Sequence, residues 1–145
     1  MSVQFAKLAG AEITAVDISE SKSNLAIESG ADYFVLADDF EKLEKFDVVM
    51  VHTPSQKAVL QASKSVKRGG TLLMAVPGDV SIDNSQEYTI ETSVIGPRMD
   101  QLKVLELASK GKVKVKWHGF QLDEANEVLL KLKRGEIIGR AVLTP

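Results

Sequence analysis

The sequence predicts an α/β protein whose parallel sheet is flanked by helices. In the first half of the chain, short apolar runs rich in β-branched residues alternate with polar segments of helical period. This alternation is typical of parallel β-α-β units. The last part of the chain follows a pattern of its own. At 145 residues, the chain is long enough for one compact domain with a sizeable core.

Five apolar runs predict the strands of the first part. The run at residues 47–51 is nearly all apolar, so we expect a central strand that is covered on both faces. Asp17 stands at the carboxyl end of the first run, where the apolar pattern stops. The predicted strands are residues 12–18, 33–36, 47–51, 71–76 and 88–95, and Pro77-Gly78 ends the fourth.

Helices are predicted between these strands where capping residues frame a helical period. Ser19 or Ser21 can cap a helix that runs to Ser29, and Gly30 supplies the left-handed position that ends it. Pro97 can begin a helix that ends before Gly111. The remaining local elements are helices at residues 40–45 and 56–66 and a turn at Gly69-Gly70.

The C-terminal segment predicts a separate β-α-β unit. Alternation of Val113, Val115 and Trp117 indicates a strand, and a helix follows at residues 123–134 between Asp123 and Gly135 as caps. A last strand is expected at residues 140–144. The apolar face of the helix carries Leu122, Ala125, Leu129 and Leu132. The chain is therefore divided into domains at residues 1–112 and 113–145.

Composition excludes several classes of function. The net charge is −2 with both signs mixed along the chain, so we expect no binding of nucleic acid. The absence of cysteine excludes disulfides and thiol catalysis, and His52 and His118 are interpreted as ordinary residues, so no metal site is predicted. No apolar run spans a bilayer and no secretory signal begins the chain, so we expect no membrane segment and a cytoplasmic location.

Asp17 is the first candidate for binding chemistry. An acid at the tip of a strand that leads into a helix is where doubly wound nucleotide-binding folds hold the adenosine ribose. Its carboxylate would accept hydrogen bonds from both ribose hydroxyls and would repel a 2′-phosphate, which favours NAD over NADP. The alternative is that Asp17 only begins a turn or caps the next helix.

An ordered series of short sequences gives this position a context. The series resembles the zinc-type medium-chain dehydrogenase/reductase family, the alcohol dehydrogenases, and it extends over nearly the whole chain. The resemblance implies an incomplete Rossmann-like sheet followed by a C-terminal β-α-β return segment. The matching runs are Val3-Gln4-Phe5-Ala6-Lys7-Leu8-Ala9-Gly10-Ala11, Val16-Asp17, Lys22, Gly30-Ala31-Asp32, Gly69-Gly70-Thr71, Val76-Pro77-Gly78, Gly96-Pro97-Arg98-Met99-Asp100, Leu122-Asp123-Glu124-Ala125-Asn126-Glu127 and Gly139-Arg140-Ala141-Val142-Leu143.

The resemblance also implies a role for individual positions in binding NAD. Asp17 would bind the ribose hydroxyls with Lys22 beside the same ribose, and Arg140 would reach the pyrophosphate, which suits the guanidinium group. Thr53 would border the adenine pocket. The backbone would face the nicotinamide at Met74, Val76, Ser93 and Ile95. The alternatives are a solvated helix residue for Lys22, an exposed charge for Arg140, and core packing or strand pairing for the last four.

Two departures from the family pattern limit these implications. The first Rossmann strand and its G-x-G-x-x-G turn, expected just before Val3, are absent. Because that turn anchors the pyrophosphate through backbone N–H groups, we expect NAD binding to be weak or lost. The missing strand is central in the usual order 3-2-1-4-5-6. The strands on either side can pair directly, the C-terminal strand can move in, or another chain can donate a strand.

The family's catalytic domain and its zinc ligands are also absent, so no catalytic residue and no zinc are expected here. The leading interpretation is an NAD-binding fragment resembling alcohol dehydrogenase, inactive alone, from a family that transfers hydride between an alcohol and NAD. The alternatives are a non-catalytic nucleotide-binding or dimerisation module, and one half of a split dehydrogenase with a zinc-bearing partner chain. The resemblance implies a homodimer through the strand at residues 88–95.

Overall fold

The computed structural model describes residues 1–76, 87–93 and 95–145. Contacts divide the chain into a terminal unit, Met1–Leu36 with Lys103–Pro145, and a central unit, Ala37–Leu102. The elements are α1 (Ser2–Leu8), β1 (Thr14–Asp17), α2 (Ser23–Glu28), β2 (Tyr33–Leu36), β3 (Phe46–Val51), α3 (Gln56–Lys64), β4 (Val66–Met74), β5 (Thr89–Thr92), α4 (Arg98–Ser109), β6 (Trp117–Gln121), α5 (Ala125–Lys133) and β7 (Arg140–Thr144). Short 3₁₀ helices cover Glu20–Lys22, Ala37–Lys42 and Leu122–Glu124.

All described strand pairs are parallel, and helices flank the sheets. The predicted α/β class with a parallel sheet is therefore confirmed. The described strands form three sheets, β1-β2, β3-β4-β5 and β6-β7. The proposed division at residues 112 and 113 stays a prediction.

In the terminal unit, β1 and β2 lie in a register that sets Asp17 opposite Leu36. Gly30 follows α2 with φ of +101°, the left-handed conformation expected at a helix end. The next turn is fixed by Asp32, whose carboxylate accepts hydrogen bonds from Lys7 Nζ at 2.6 Å and from the Ile13 backbone N–H at 2.9 Å. These contacts tie α1 to the start of the β1-β2 sheet.

The central unit holds an apolar core between α3 and the β3-β4-β5 sheet. Ser55 caps α3 by accepting a hydrogen bond from Ala58 N–H, as its position before an apolar helix favours. Leu72 and Val66 on β4 are fully buried. The core cluster comprises Val51, Val59, Ala62, Val66, Leu72 and Met74.

The C-terminal β6-α5-β7 segment confirms the predicted β-α-β return. Gly139 precedes β7 with φ of +104°, and a Cβ there would lie 2.4 Å from the Lys116 carbonyl oxygen. Only glycine fits this approach. The Arg140 N–H then donates to the same Lys116 oxygen at 2.9 Å, which starts the pairing of β6 with β7.

Several local predictions were wrong. A turn was predicted at Gly69-Gly70, but both residues lie inside β4, which already pairs with β3 at Val66 and Phe46. The pairing then shifts register and resumes between Thr71 and Val48. The expected helix at residues 40–45 is instead the 3₁₀ helix at Ala37–Lys42. Val113 and Val115 precede β6 rather than belonging to it, and α1 was not predicted. The stop at Pro77-Gly78 and residue Val94 lie outside the described residues.

The helical face predicted on α5 does not form the buried face. Val128 is the buried residue of α5, whereas Leu129 and Leu132 are 61% and 53% exposed. The helix buries Val128, which lies about 100° around the helix axis from Leu129.

The described strands form three separate sheets, in which β1 pairs with β2, β3 pairs with β4, and β7 pairs with β6. Insertion of the C-terminal strand beside β1 is therefore not found among the described strands, and direct pairing of β1 with β3 stays a prediction. Donation of a strand by another chain stays a prediction. Within the same residues, no helix has the length and apolarity needed to span a bilayer.

Candidate functional site

Asp17 is the last residue of β1 and is half-buried. Its Oδ1 accepts a hydrogen bond from the Ser19 backbone N–H at 3.1 Å. This contact matches the turn-forming alternative for Asp17, but it occupies one lone pair of one oxygen. The carboxylate makes no other hydrogen bond with the described residues, so it keeps acceptor capacity for a ligand.

The helix cap predicted at Ser19 does not form. The Ser19 side chain caps nothing and instead pairs with the Ser21 hydroxyl at 2.8 Å. An aspartate side chain that accepts from the amide two residues later forms an Asx turn. The alternative in which Asp17 begins a turn is therefore present in the structure.

Lys22 ends the 3₁₀ helix that leads from β1 into α2. Its side chain is half-buried and forms no ion pair with any described residue. The residue lies in the same short connection as Asp17. The charge of the Lys22 ammonium group is therefore not balanced by a carboxylate of the described residues.

Arg140 is the first residue of β7 and is exposed. Burial and, next, the positive charge of Arg140 lower the pKa of the Met1 α-amino group. Arg140 makes no ion pair with the described carboxylates. Asp17, Lys22 and Arg140 thus all belong to the terminal unit.

The other predicted positions belong to the central unit. Met74 ends β4 with a buried side chain, and its carbonyl oxygen accepts a hydrogen bond from Ser93 N–H at 3.0 Å. Val76 packs against the core cluster, which is the packing alternative for this side chain. Ile95 is 91% exposed, and Thr53 is exposed just past β3.

Four of the predicted positions lie near the carboxyl end of a parallel strand. Parallel α/β sheets bind ligands beyond the carboxyl ends of their strands. Asp17, Thr53, Met74 and Ser93 each lie at such an end or within two residues after it. Arg140, in contrast, begins its strand.

Metal ligands are not brought together in the described ranges. Residues 1–76, 87–93 and 95–145 contain no group of three or more His, Cys, Asp or Glu side chains that could hold a metal ion. His118 is exposed, and its Nε2 lies 3.0 Å from the Ile138 carbonyl oxygen. These described residues therefore assemble no metal centre.

Comparison with known proteins identifies the family. The family model described as zinc-binding dehydrogenase matches residues 1–110. An alcohol dehydrogenase of Geobacillus stearothermophilus is 35% identical over 99% of this chain and 46% of its own length. An NAD-dependent alcohol dehydrogenase of Sulfolobus acidocaldarius is 32% identical over 99% of this chain and 46% of its own length.

Solved structures agree with this result. The alcohol dehydrogenase of Aeropyrum pernix superimposes with a TM-score of 0.92 at 32% identity, over 99% of this chain and 46% of that chain. Acetophenone reductase from Geotrichum candidum, solved in complex with NAD, gives a TM-score of 0.87 at 32% identity over 99% of this chain and 44% of that one. The chain spans about half the length of these relatives. It belongs to the zinc-binding dehydrogenase family and corresponds to the C-terminal part of an alcohol dehydrogenase.

Proposed function

We propose that this chain is the NAD-binding part of an alcohol dehydrogenase and that Asp17 binds the adenosine ribose. The observation that carries the proposal is the position of a half-buried carboxylate at the carboxyl end of a parallel strand, with one oxygen engaged by Ser19 N–H and acceptor capacity left. A ribose offers two adjacent hydroxyl donors to such a carboxylate.

Two cations of the terminal unit have the charge that the phosphates of the coenzyme require. Lys22 and Arg140 are cations without a carboxylate partner among the described residues, and guanidinium groups suit phosphate oxygens. The negative charge of Asp17 opposes a 2′-phosphate, so the site favours NAD over NADP. Bound NAD would supply the hydride acceptor for alcohol oxidation. In the central unit, Thr53 would border the adenine, and the backbone at Met74, Val76, Ser93 and Ile95 would face the nicotinamide.

Binding is expected to be weak, and the chain alone is expected to be inactive. The sequence has no G-x-G-x-x-G turn to bring backbone N–H groups to the pyrophosphate. It also has no cysteine to serve as a zinc ligand. We also propose that the protein is cytoplasmic.

Calorimetric titration with NADH tests the ribose site, at protein concentrations that detect dissociation constants near about 1 mM. We expect saturable binding that weakens by at least about tenfold in Asp17→Ala, because even one hydrogen bond to a charged group contributes about 1.5 kcal/mol. Asp123→Ala removes an exposed aspartate elsewhere in the terminal unit and serves as the control. Equal binding by all three proteins would refute the role of Asp17.

A second candidate is one half of a split dehydrogenase with a zinc-bearing partner chain. One observation favours it: the β6-α5-β7 segment exposes large apolar side chains. Trp117, Leu129 and Leu130 are each more than half exposed. Exposed apolar surface of this kind marks a site where another polypeptide can bind.

The flanking DNA distinguishes this candidate from the first. A neighbouring reading frame that encodes the missing half, with its cysteines, would supply the partner. Co-expression of both products should give a complex that Trp117→Glu weakens and that Leu105→Glu, at another exposed apolar site, leaves intact. Failure of the two wild-type products to associate would exclude the split enzyme.

A further inference from the structure

We infer that the terminal unit contains a second binding site, a basic groove for a small anionic amphiphile, that is, an anion with an apolar tail. The groove has a volume of about 560 Å³, within the range typical of small-molecule sites. Its walls are α1, the end of α2 with the following turn, and residues 111–116. Asp17, Lys22 and Arg140 do not line it, so it is separate from the proposed coenzyme site.

Two of the three walls of the basic groove are held together by one side chain. Gln4 on α1 donates from Nε2 to the Lys114 carbonyl oxygen at 2.8 Å and accepts at Oε1 from the Lys114 N–H at 2.7 Å. This double hydrogen bond fixes the extended segment against the helix. The groove is therefore formed before any ligand binds, which lowers the entropic cost of binding.

Close packing between α1 and the turn after α2 also indicates that the groove is formed before any ligand binds. Gly30 lies against the Lys7 side chain, because a Cβ built at Gly30 would be 3.1 Å from Lys7 Cγ. The Lys7 ammonium in turn is held by Asp32 at 2.6 Å. The aliphatic part of the Lys7 side chain therefore lines the groove, and Asp32 largely balances the charge of the Lys7 ammonium group.

The charge of the basic groove is opposite in sign to that of the chain. Four lysines and one glutamate line it, whereas the whole chain carries a net charge of −2. Lys112 and Lys114 have no ion-pair partner among the described residues. Lys116 meets Glu28 only at 4.0 Å, a long contact between exposed groups that stabilises little. These cations are available to an anionic head group.

The lining of the groove also includes apolar side chains, which we call its floor and which are incompletely covered. Leu8 and Val115 are 48% and 51% exposed, and both line the groove together with the half-buried Leu25. A purely polar anion, such as phosphate, would leave this apolar area in water. A ligand with an apolar tail would remove it from water at about 25 cal/mol per Å². The combination of floor and lysines thus selects an amphiphile.

Binding of decanoate, measured by calorimetry on the purified chain below its micelle concentration, tests the inference. The double substitution Lys112→Glu/Lys114→Glu reverses the two unpaired charges on exposed positions, so the fold is expected to persist, and circular dichroism verifies this. Lys64→Glu/Lys133→Glu makes the same change in net charge elsewhere. Val115→Ser tests the floor.

We expect one decanoate per chain, a loss of affinity of at least about tenfold in the groove double variant, a smaller loss in Val115→Ser, and less than about a twofold change in the control. Absence of saturable binding, or equal loss in both double variants, would overturn the inference. So would binding of decyltrimethylammonium or inorganic phosphate as tight as that of decanoate. Sedimentation with phosphatidylglycerol vesicles without decanoate binding would assign the surface to membranes and overturn the free-ligand site.

Discussion

The Asp17 carboxylate accepts a hydrogen bond from the Ser19 backbone N–H across 3.1 Å. This contact orients the carboxylate at the end of β1 while leaving it further acceptor capacity. An acid that is held by its own turn loses less conformational entropy when a ligand binds. The turn and the ligand site are therefore compatible roles of the same residue.

Replacement of Asp17 by asparagine should reduce discrimination between NADH and NADPH. The amide keeps the size and the turn contact but removes the negative charge that opposes a 2′-phosphate. We expect the ratio of the two affinities to move towards unity by about tenfold. Competition titrations of both coenzymes measure this ratio, and an unchanged ratio would show that the charge of Asp17 does not select the coenzyme.

The central unit should depend strongly on Leu72. This side chain is fully buried in the core cluster, so Leu72→Ala should lower the free energy of unfolding by about 2–5 kcal/mol. Val48→Ala on β3, where the side chain is 53% exposed, should cost less than about 1 kcal/mol. Urea denaturation followed by circular dichroism compares the two. Equal losses would contradict the described core.

The connection from α5 to β7 should require glycine at position 139. In Gly139→Ala the new methyl group would meet the Lys116 carbonyl oxygen at 2.4 Å in a positive-φ conformation, so we expect a loss of more than about 2 kcal/mol. Gly111→Ala has positive φ but open space around its Cβ and should cost about 1 kcal/mol. Thermal unfolding of both variants provides the measurement, and a milder effect at position 139 would be inconsistent with this geometry.

Asp32 should contribute to the acid sensitivity of the terminal unit. Hydrogen bonds from Lys7 and from the Ile13 N–H lower the pKa of the Asp32 carboxyl group below its usual value. A group with a depressed folded-state pKa stabilises the protein above its unfolded-state pKa, and this contribution disappears as the pH falls through the folded-state value. Asp32→Asn should therefore flatten the acid side of the stability profile, measured by urea unfolding at a series of pH values. The same slope in wild type and variant would rule out this contribution.

The proposed homodimer through β5 should be sensitive to proline at the unpaired edge of this strand. Among the described strands, β5 pairs with β4 on one side only. The Ser93 N–H points to β4, so the N–H of the preceding residue, Thr92, points to the open edge. Thr92→Pro removes an edge donor and should dissociate the dimer, whereas Thr92→Ala keeps it. Light scattering at high concentration tests both. A monomeric wild-type chain would eliminate the dimer itself.

The sequence was sufficient for the features that depend on local patterns. Apolar runs located β2 and β7, and Gly30 was assigned to a left-handed helix end because only glycine adopts that conformation freely. The acid at the end of β1 was found from the same pattern. The family resemblance then supplied the order of the strands.

Features that depend on tertiary contacts were not predictable in this way. The irregular start of β4 follows from the pairing of Val66 with Phe46, which no local signal at Gly69 reveals. Exposure of Leu129 depends on which face of α5 is buried. The basic groove arises because Gln4 joins segments that are 110 residues apart in sequence, and no periodicity encodes such a contact.

The central claim is that the ribose of NAD binds at the end of β1, and an NMR titration tests it most directly. Amide shifts of the ¹⁵N-labelled chain are recorded as NADH is added. The account predicts saturable shifts centred on the Ser19 amide and on residues 17–22, and their loss in Asp17→Ala. Shifts that saturate elsewhere while Ser19 stays unchanged, or that persist in Asp17→Ala, would contradict it.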